Sequence, residues 1–333
     1  MLLVEEDTFG SYGRLLLKYF CAEAVMTGHS LMLSSADTDP DVILKELPKP
    51  IIDDPGNAQD EEPQNVANQD DTIKIAWRYR HLPKFQSSTS AVKFGHYYDL
   101  SKTMEEDLVG TIDIERIKCQ DLCTTQQVAG HNHKYLSLLR KIQEKIETGK
   151  FSTSVPVDKR NILRIALHSV GSPLWGENGG LTTDNEYDPS LAKFLIGLRA
   201  TLRSAFAVCV VTVPTHLFCD DSFTKRIERM CDAVVHFDSF VGSEKEKNPA
   251  YKEYHGLLNI KKLPCLNTLL CHMPESLDLA FKLRRKKFVI EKLHLPPDLS
   301  ETANRSQEDP VPKMNTANSG CGTVGHGKSK LDF

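Results

Sequence analysis

The sequence has no apolar run that could cross a membrane. In a chain of 333 residues, its longest apolar stretches fall far short of the roughly 20 residues a spanning helix needs. Its start, Met1-Leu2-Leu3-Val4-Glu5-Glu6, has no basic region and no small-residue cleavage site, so no secretory signal is expected there. Positive charge is not in excess. Lys and Arg number 41 against 45 Asp and Glu, a net charge of −4, so any attraction to a polyanion must come from a local surface. A disulfide framework is also missing. The 9 cysteines are odd in number and scattered, which points to reduced thiols of the cytosol or nucleus. What is present is enough for a sizeable core: 40% hydrophobic and 26% charged residues, in one large domain or two small ones.

The apolar pattern predicts an α/β protein. Leu2-Leu3-Val4 reads as a short strand, followed by acids and a glycine-containing turn. Leu15 to Met26 is strongly apolar and helical, closed by Gly28, and Ser30 to Ser34 reads as the next strand. This strand–turn–helix–strand unit opens a parallel sheet. Asp53 to Asp71 holds seven acids, no Lys or Arg, and two prolines, a composition that predicts a disordered acidic insertion. Ile73 to Tyr79 alternates like a strand. Leu136, Leu139, Ile142 and Ile146 have helical spacing, and Leu191 to Leu202 is also helical. Asn161 to Ser169 and Ala205 to Val213 read as buried strands, the second nearly continuous in the parallel-sheet manner. Ala233 to Phe237 follows. Gly256 to Leu263 and Lys287 to Leu293 are expected to form an antiparallel pair closing the sheet. Residues 1–299 thus read as one domain, and 300–333 as a disordered Gly-rich tail.

The first strand–turn–helix is where a phosphate-binding P-loop would sit. A working loop needs G-x-x-x-x-G-K-[ST], in which backbone amides cradle phosphates, Lys neutralises them and a hydroxyl holds magnesium. Here Gly13 stands at the second glycine and Arg14 at the lysine, while Leu15 replaces the hydroxyl and Thr8 the first glycine. Glu5, Glu6 and Asp7 are expected to face the phosphate position and repel an anion there. The strand at Ile162 to Leu167 is the candidate Walker B, yet it ends in His168-Ser169 with no carboxylate before Glu177, so the magnesium acid is also missing. A full P-loop string does occur at Gly322 to Ser329, but no apolar strand precedes it and only four residues follow, too few for the helix whose dipole the chemistry uses. Cys119 and Cys123, followed by His131 and His133, fit no strong zinc spacing, and no metal site is expected. His216 and His255 read as structural.

Positive charge is concentrated in two places. Lys282-Leu283-Arg284-Arg285-Lys286-Lys287 carries five cations in six residues. Arg284, Arg285, Lys286 and Lys287 are therefore candidate phosphate contacts, by release of counterions. Arg78 and Arg80, with Lys84 and Lys93, lie near Trp77, Tyr79 and Phe94, a second mixture of basic and aromatic residues of the kind that binds nucleic acid.

Several long stretches resemble the family of the fourth subunit of the Elongator tRNA-modification complex. They are GRLLLKYFCAEAVMTGHSL (13–31), KIAWRYRHLPK (74–84), FGHYYDLSK (94–102) and NILRIALHSVGSPLWG (161–176), then VVTVPTHL (210–217), DSFVGSEKEKNPAYKEYHGL (238–257) and LAFKLRRKKFVIEKLHLPPDLS (279–300). The resemblance implies a RecA-like twisted, mostly parallel sheet flanked by helices, without working Walker A or B motifs. It implies a non-catalytic subunit of a hetero-hexameric ring with the fifth and sixth Elongator subunits. Such a ring binds tRNA and docks on the catalytic subassembly of the first to third subunits, which modifies the wobble uridine (U34). ATP at ring interfaces and a cytoplasmic and nuclear location are further implications; no cofactor is expected on this chain's own loop. The family also has a leader and a Gly-rich segment ahead of the first strand, and their loss is expected to remove an edge or packing element. The rival readings are an active RecA-type ATPase acting on nucleic acid, which would need a glycine–lysine loop after the first strand, and a scaffold without RNA contact.

Overall fold

The computed structural model describes residues 1–51, 95–122, 133–157, 159–176, 189–265, 274 and 276–294. Met1–Leu293 forms one compact unit, and the account below concerns that unit.

Its centre is a nine-stranded sheet in the order β11-β10-β9-β8-β1-β7-β6-β2-β5. Six strands run parallel: β1 (Leu2–Glu5), β2 (Ser30–Ser35), β5 (Ile114–Lys118), β6 (Leu163–His168), β7 (Ala207–Val213) and β8 (Ala233–Ser239). β9 (Gly256–Lys262), β10 (Leu279–Leu283) and β11 (Phe288–Lys292) extend it as an antiparallel meander. A separate pair, β3 (Pro48–Ile51) and β4 (Tyr97–Thr103), is antiparallel. This α/β architecture, a large and mostly parallel sheet between helices, agrees with the RecA-like expectation. β1 lies at its centre, between β7 and β8.

Helices cover both faces, so the central strands bury both sides and read as continuous apolar runs. Leu3, Met32, Ile165, Leu167, Cys209 and Val211 face the side covered by α4 (His133–Thr148), α5 (Ser190–Arg203) and α6 (Asp221–Met230). Val4, Leu31, Leu33, Ala166 and Val210 face the side covered by α1 (Ser11–Thr27), α2 (Pro40–Lys45) and the single turn α3 (Glu106–Val109). The alternation along each strand follows from the twofold side-chain period of the extended chain. Each fully buried Leu, Val or Phe contributes roughly 1.5–3 kcal/mol. Gly28 ends α1 in a left-handed turn (φ 69°) whose N–H reaches the carbonyls of Ala24 and Val25. A residue without a Cβ takes that conformation without steric cost.

Two expectations are corrected. Gly256 to Leu263 and Lys287 to Leu293 do not pair with each other, because β10 lies between them and pairs with both. That strand is hard to read locally, since Lys282 sits at a buried position in it. Lys282 is tolerated there by its ion pair with Glu291 and by the Tyr254 ring, 5.3 Å from its ammonium. The second correction is to the face of α4. Tyr135 and Leu138 are buried with Ile142 and Ile146, whereas Leu136 is 48% exposed. The Tyr135 ring decides the rotation by stacking on Trp175 and Phe194, at 6.0 and 5.4 Å. Leu139 is partly buried against α5 at Gly197, where an added Cβ would stand 2.7 Å from it. The strand expected at Ile73 to Tyr79, the acidic insertion and the Gly-rich tail lie outside the described residues.

Candidate functional site

The loop after β1 departs from its sequence reading in an instructive way. Glu5, Glu6 and Asp7 do not jointly face an open phosphate position: all three are buried, at 1%, 4% and 2% exposure, and each has a different neighbour. Glu5 Oε2 accepts from Lys261 Nζ at 2.7 Å, and that ammonium also reaches Glu228 at 2.8 Å. Glu6 Oε2 accepts from Ser169 Oγ at 3.3 Å. Asp7 turns back onto α1, where it accepts from the Ser11 N–H at 3.3 Å and the Tyr12 N–H at 2.9 Å. The first amides of a helix have no partner within the helix, and the helix dipole favours an anion there. In a P-loop that anion is phosphate; here it is the protein's own carboxylate.

Gly13 and Arg14 take roles other than those their positions suggest. Gly13 is buried in the first turn of α1, and a Cβ on it would stand 2.9 Å from Glu6 Cγ. The close approach of loop and helix therefore requires glycine. Arg14 Nη2 donates to Glu46 Oε2 at 2.6 Å, and Lys18 Nζ reaches the same oxygen at 2.8 Å. The hydrogen bond from Lys18, with the charges of Lys18 and Arg14, holds the Glu46 carboxyl below its ordinary range against a smaller effect of burial.

The end of β6 has no carboxylate of its own. His168 is buried, which pushes its imidazole down to about 4, so it is neutral at physiological pH; its Nδ1 lies 3.0 Å from Ser35 Oγ. Ser169 follows with φ 53°, a left-handed backbone that costs a non-glycine residue free energy. Its N–H donates to Thr212 Oγ1 at 2.7 Å. Ser172 Oγ donates to Asp37 Oδ1 at 2.6 Å. Among the described residues no group of three or more His, Cys, Asp and Glu could hold a metal ion. Cys119 is buried and directed at the Leu174 carbonyl, while Cys123 and His131 lie outside the described residues.

Beside α1 lies a cleft of about 940 Å³. Its walls come from three distant parts of the chain: Phe9 to Lys18, the β3–β4 pair at Pro48 and Leu100 to Thr103, and the β10–β11 hairpin at Leu283 to Arg285. Arg14, Lys18, Lys102, Arg284 and Arg285 line it, and Glu46 is the one carboxylate among its lining residues. The hairpin is fixed where it turns. The Arg284 N–H donates to the Lys287 carbonyl at 2.8 Å and the Lys287 N–H returns to Arg284 at 3.2 Å. The Leu100 N–H of β4 donates to the Lys286 carbonyl at 3.0 Å. Arg284, Arg285, Lys286 and Lys287 are all exposed, and among the described residues none of the four makes an ion pair. Of the basic residues singled out from sequence, the structure thus brings Arg14, Arg284 and Arg285 to one cleft. Arg78 and Arg80 lie outside the described residues. Lys18, Lys102, Glu46 and Phe9 were not legible as site residues, because nothing in their local pattern marks them and only the packing of β4 against the hairpin turn gathers them.

Comparison with known proteins completes the picture. The family model described as PAXNEB protein matches residues 1–333. A curated relative from Danio rerio, "Elongator complex protein 4", is 44% identical over 339 residues, covering 100% of this chain and 84% of that protein. The Homo sapiens protein of the same name is 43% identical over 342 residues, covering 100% and 81%. The one from Schizosaccharomyces pombe is 24% identical over 337 residues, covering 94% and 86%.

Proposed function

This chain belongs to the PAXNEB family, to which it is similar along its whole length together with proteins named Elongator complex protein 4, and on that premise we propose that it is a non-catalytic, RNA-contacting subunit of Elongator. Its partners are the fifth and sixth subunits, with which it forms a hetero-hexameric ring, and the catalytic subassembly of the first to third subunits. The ring holds tRNA while that subassembly modifies the wobble uridine, in the cytoplasm and nucleus. The observation that carries the RNA contact is the cleft, whose lining residues set five cations against one carboxylate in a chain of net charge −4. Cations gathered on one surface neutralise phosphates and release their counterions.

Two features support a non-catalytic role. The helix amides that would cradle a nucleotide already hold the Asp7 carboxylate, and β6 ends in a neutral histidine and a serine where a magnesium carboxylate would stand. Nucleotide turnover by the ring then belongs to the interfaces between subunits and not to this chain's own loop.

Affinity purification of the tagged chain with mass spectrometry tests the assignment. Recovery of the five other Elongator subunits is expected, and their absence overturns it. Replacing Arg284, Arg285, Lys286 and Lys287 with Glu is expected to weaken tRNA binding by the purified assembly. Unchanged affinity would leave a scaffold without RNA contact through this surface.

A further inference from the structure

We infer that the cleft beside α1 seats one unpaired nucleotide of a bound RNA, with its base against Phe9 and its flanking phosphates on Arg284, Arg285 and Lys102. This rests on the RNA-contact reading above and adds to it the form of RNA that is read.

Three observations carry it. The first is size. A volume of about 940 Å³ is that of a small-ligand site, so it admits a single nucleotide but not a duplex. The second is the wall. Phe9 is 62% exposed and lines the cleft. A large aromatic ring left in water beside several cations is a stacking platform for a base, whatever the base. The next aromatic residue of the wall, Tyr12, packs its ring 4.4 Å from that of Phe281, which anchors the first turn of α1 that follows Phe9. The third is the distribution of charge. Arg14 and Lys18 are engaged by Glu46. Lys102, Arg284 and Arg285 have no ion-pair partner among the described residues, and they come from two separate strands' ends. Cations spread along a wall suit successive phosphodiesters. A nucleoside triphosphate needs converging donors, and the amides that would converge on it hold Asp7 instead.

The test uses the full chain, purified with the subunits it carries from its host, and fluorescence anisotropy with two labelled RNAs: an eight-nucleotide single strand and a blunt, fully paired duplex. Phe9→Ala is expected to weaken the single strand roughly tenfold, in line with the loss of one base stack. It should leave the duplex unchanged, and Phe9→Tyr should restore the loss. Arg284→Glu with Arg285→Glu should weaken both RNAs. If Phe9→Ala has no effect while the arginine variant weakens both, the nucleotide seat is overturned and the RNA contact stands. If neither variant changes any affinity, the RNA contact itself is overturned. If ATP at the concentration of the oligonucleotide displaces it, the seat belongs to a free nucleotide and the RNA assignment is overturned.

Discussion

Glu6 shows how far burial governs this loop. Its carboxyl is 4% exposed. Burial, with the charges of Asp37 and Asp7, pushes it up to about 7 against hydrogen bonds from Thr212 and Ser169, from an ordinary value of 4.5. A carboxyl raised in this way stabilises the fold fully below about 4.5, loses that contribution as pH rises, and has lost it above about 7. Over the whole range the difference amounts to somewhat more than about 3 kcal/mol, of which roughly 2–3 kcal/mol falls between pH 5 and pH 8. Glu6→Gln removes the titration. Its stability relative to the parent is therefore expected to be higher at pH 8 than at pH 5 by about that amount in urea unfolding. An equal difference at both pH values would show that Glu6 does not titrate in this range. Asp7 has a structural role, as the side chain that closes the α1 amides. Asp7→Ala is expected to cost about 1 kcal/mol, the usual loss of a helix cap, and Asp7→Asn much less. Equal urea midpoints for the two variants would argue against capping.

At the scale of elements, the contact between the β1 loop and α1 leaves no room for a side chain at Gly13. Gly13→Ala brings a methyl to 2.9 Å from Glu6 Cγ, next to the backbone rather than at a flexible end. The expected loss is about 1–3 kcal/mol, as for other overpacked sites, and an unchanged melting temperature would mean that the loop can yield. The β10–β11 hairpin is a second rigid piece. Its strands pair over five residues each, Leu279–Leu283 with Phe288–Lys292. The buried Lys282 is tied across the hairpin to Glu291 and lies near the Tyr254 ring. Lys282→Ala leaves that carboxylate without its partner and opens space beneath the turn. Hydrogen exchange is expected to quicken at the amides of Lys282 and Val289, while α4 and α5 keep their protection. Uniform acceleration would place Lys282 in the global core instead.

At the scale of the whole molecule, net charge misleads, because the positive residues are gathered. A phosphate contact contributes about −0.7 to the slope of log K against log salt for a single strand. Arg284→Ala with Arg285→Ala is therefore expected to flatten that slope by about 1.4, in titrations of single-stranded RNA between low and physiological salt. A parallel shift with unchanged slope would show that the two arginines touch no phosphates. The antiparallel meander carries these residues on one flank of the sheet, beyond β8. The parallel half, between α1 and α2 on one side and α4, α5 and α6 on the other, is the scaffold that holds α1 in place.

By itself the sequence determined the parts whose signal is local. The α1 helix closed by Gly28, the apolar strands β2, β6, β7 and β8, and the helices α4 and α5 all follow from side-chain period, because burial of contiguous residues leaves its mark on contiguous letters. The missing phosphate-loop residues around Gly13 and Arg14, and the cluster Arg284 to Lys287, were visible in the same way. Tertiary structure alone decided the rest. It inserted β10 between β9 and β11, turned α4 onto Tyr135, sent Asp7 into the helix amides and set Arg14 against Glu46. It also brought Phe9, Lys102 and Arg284 to one cleft from three distant stretches of chain. Strand order and the packing of one turn on another depend on which surfaces exclude water together, and no spacing within a single segment encodes that.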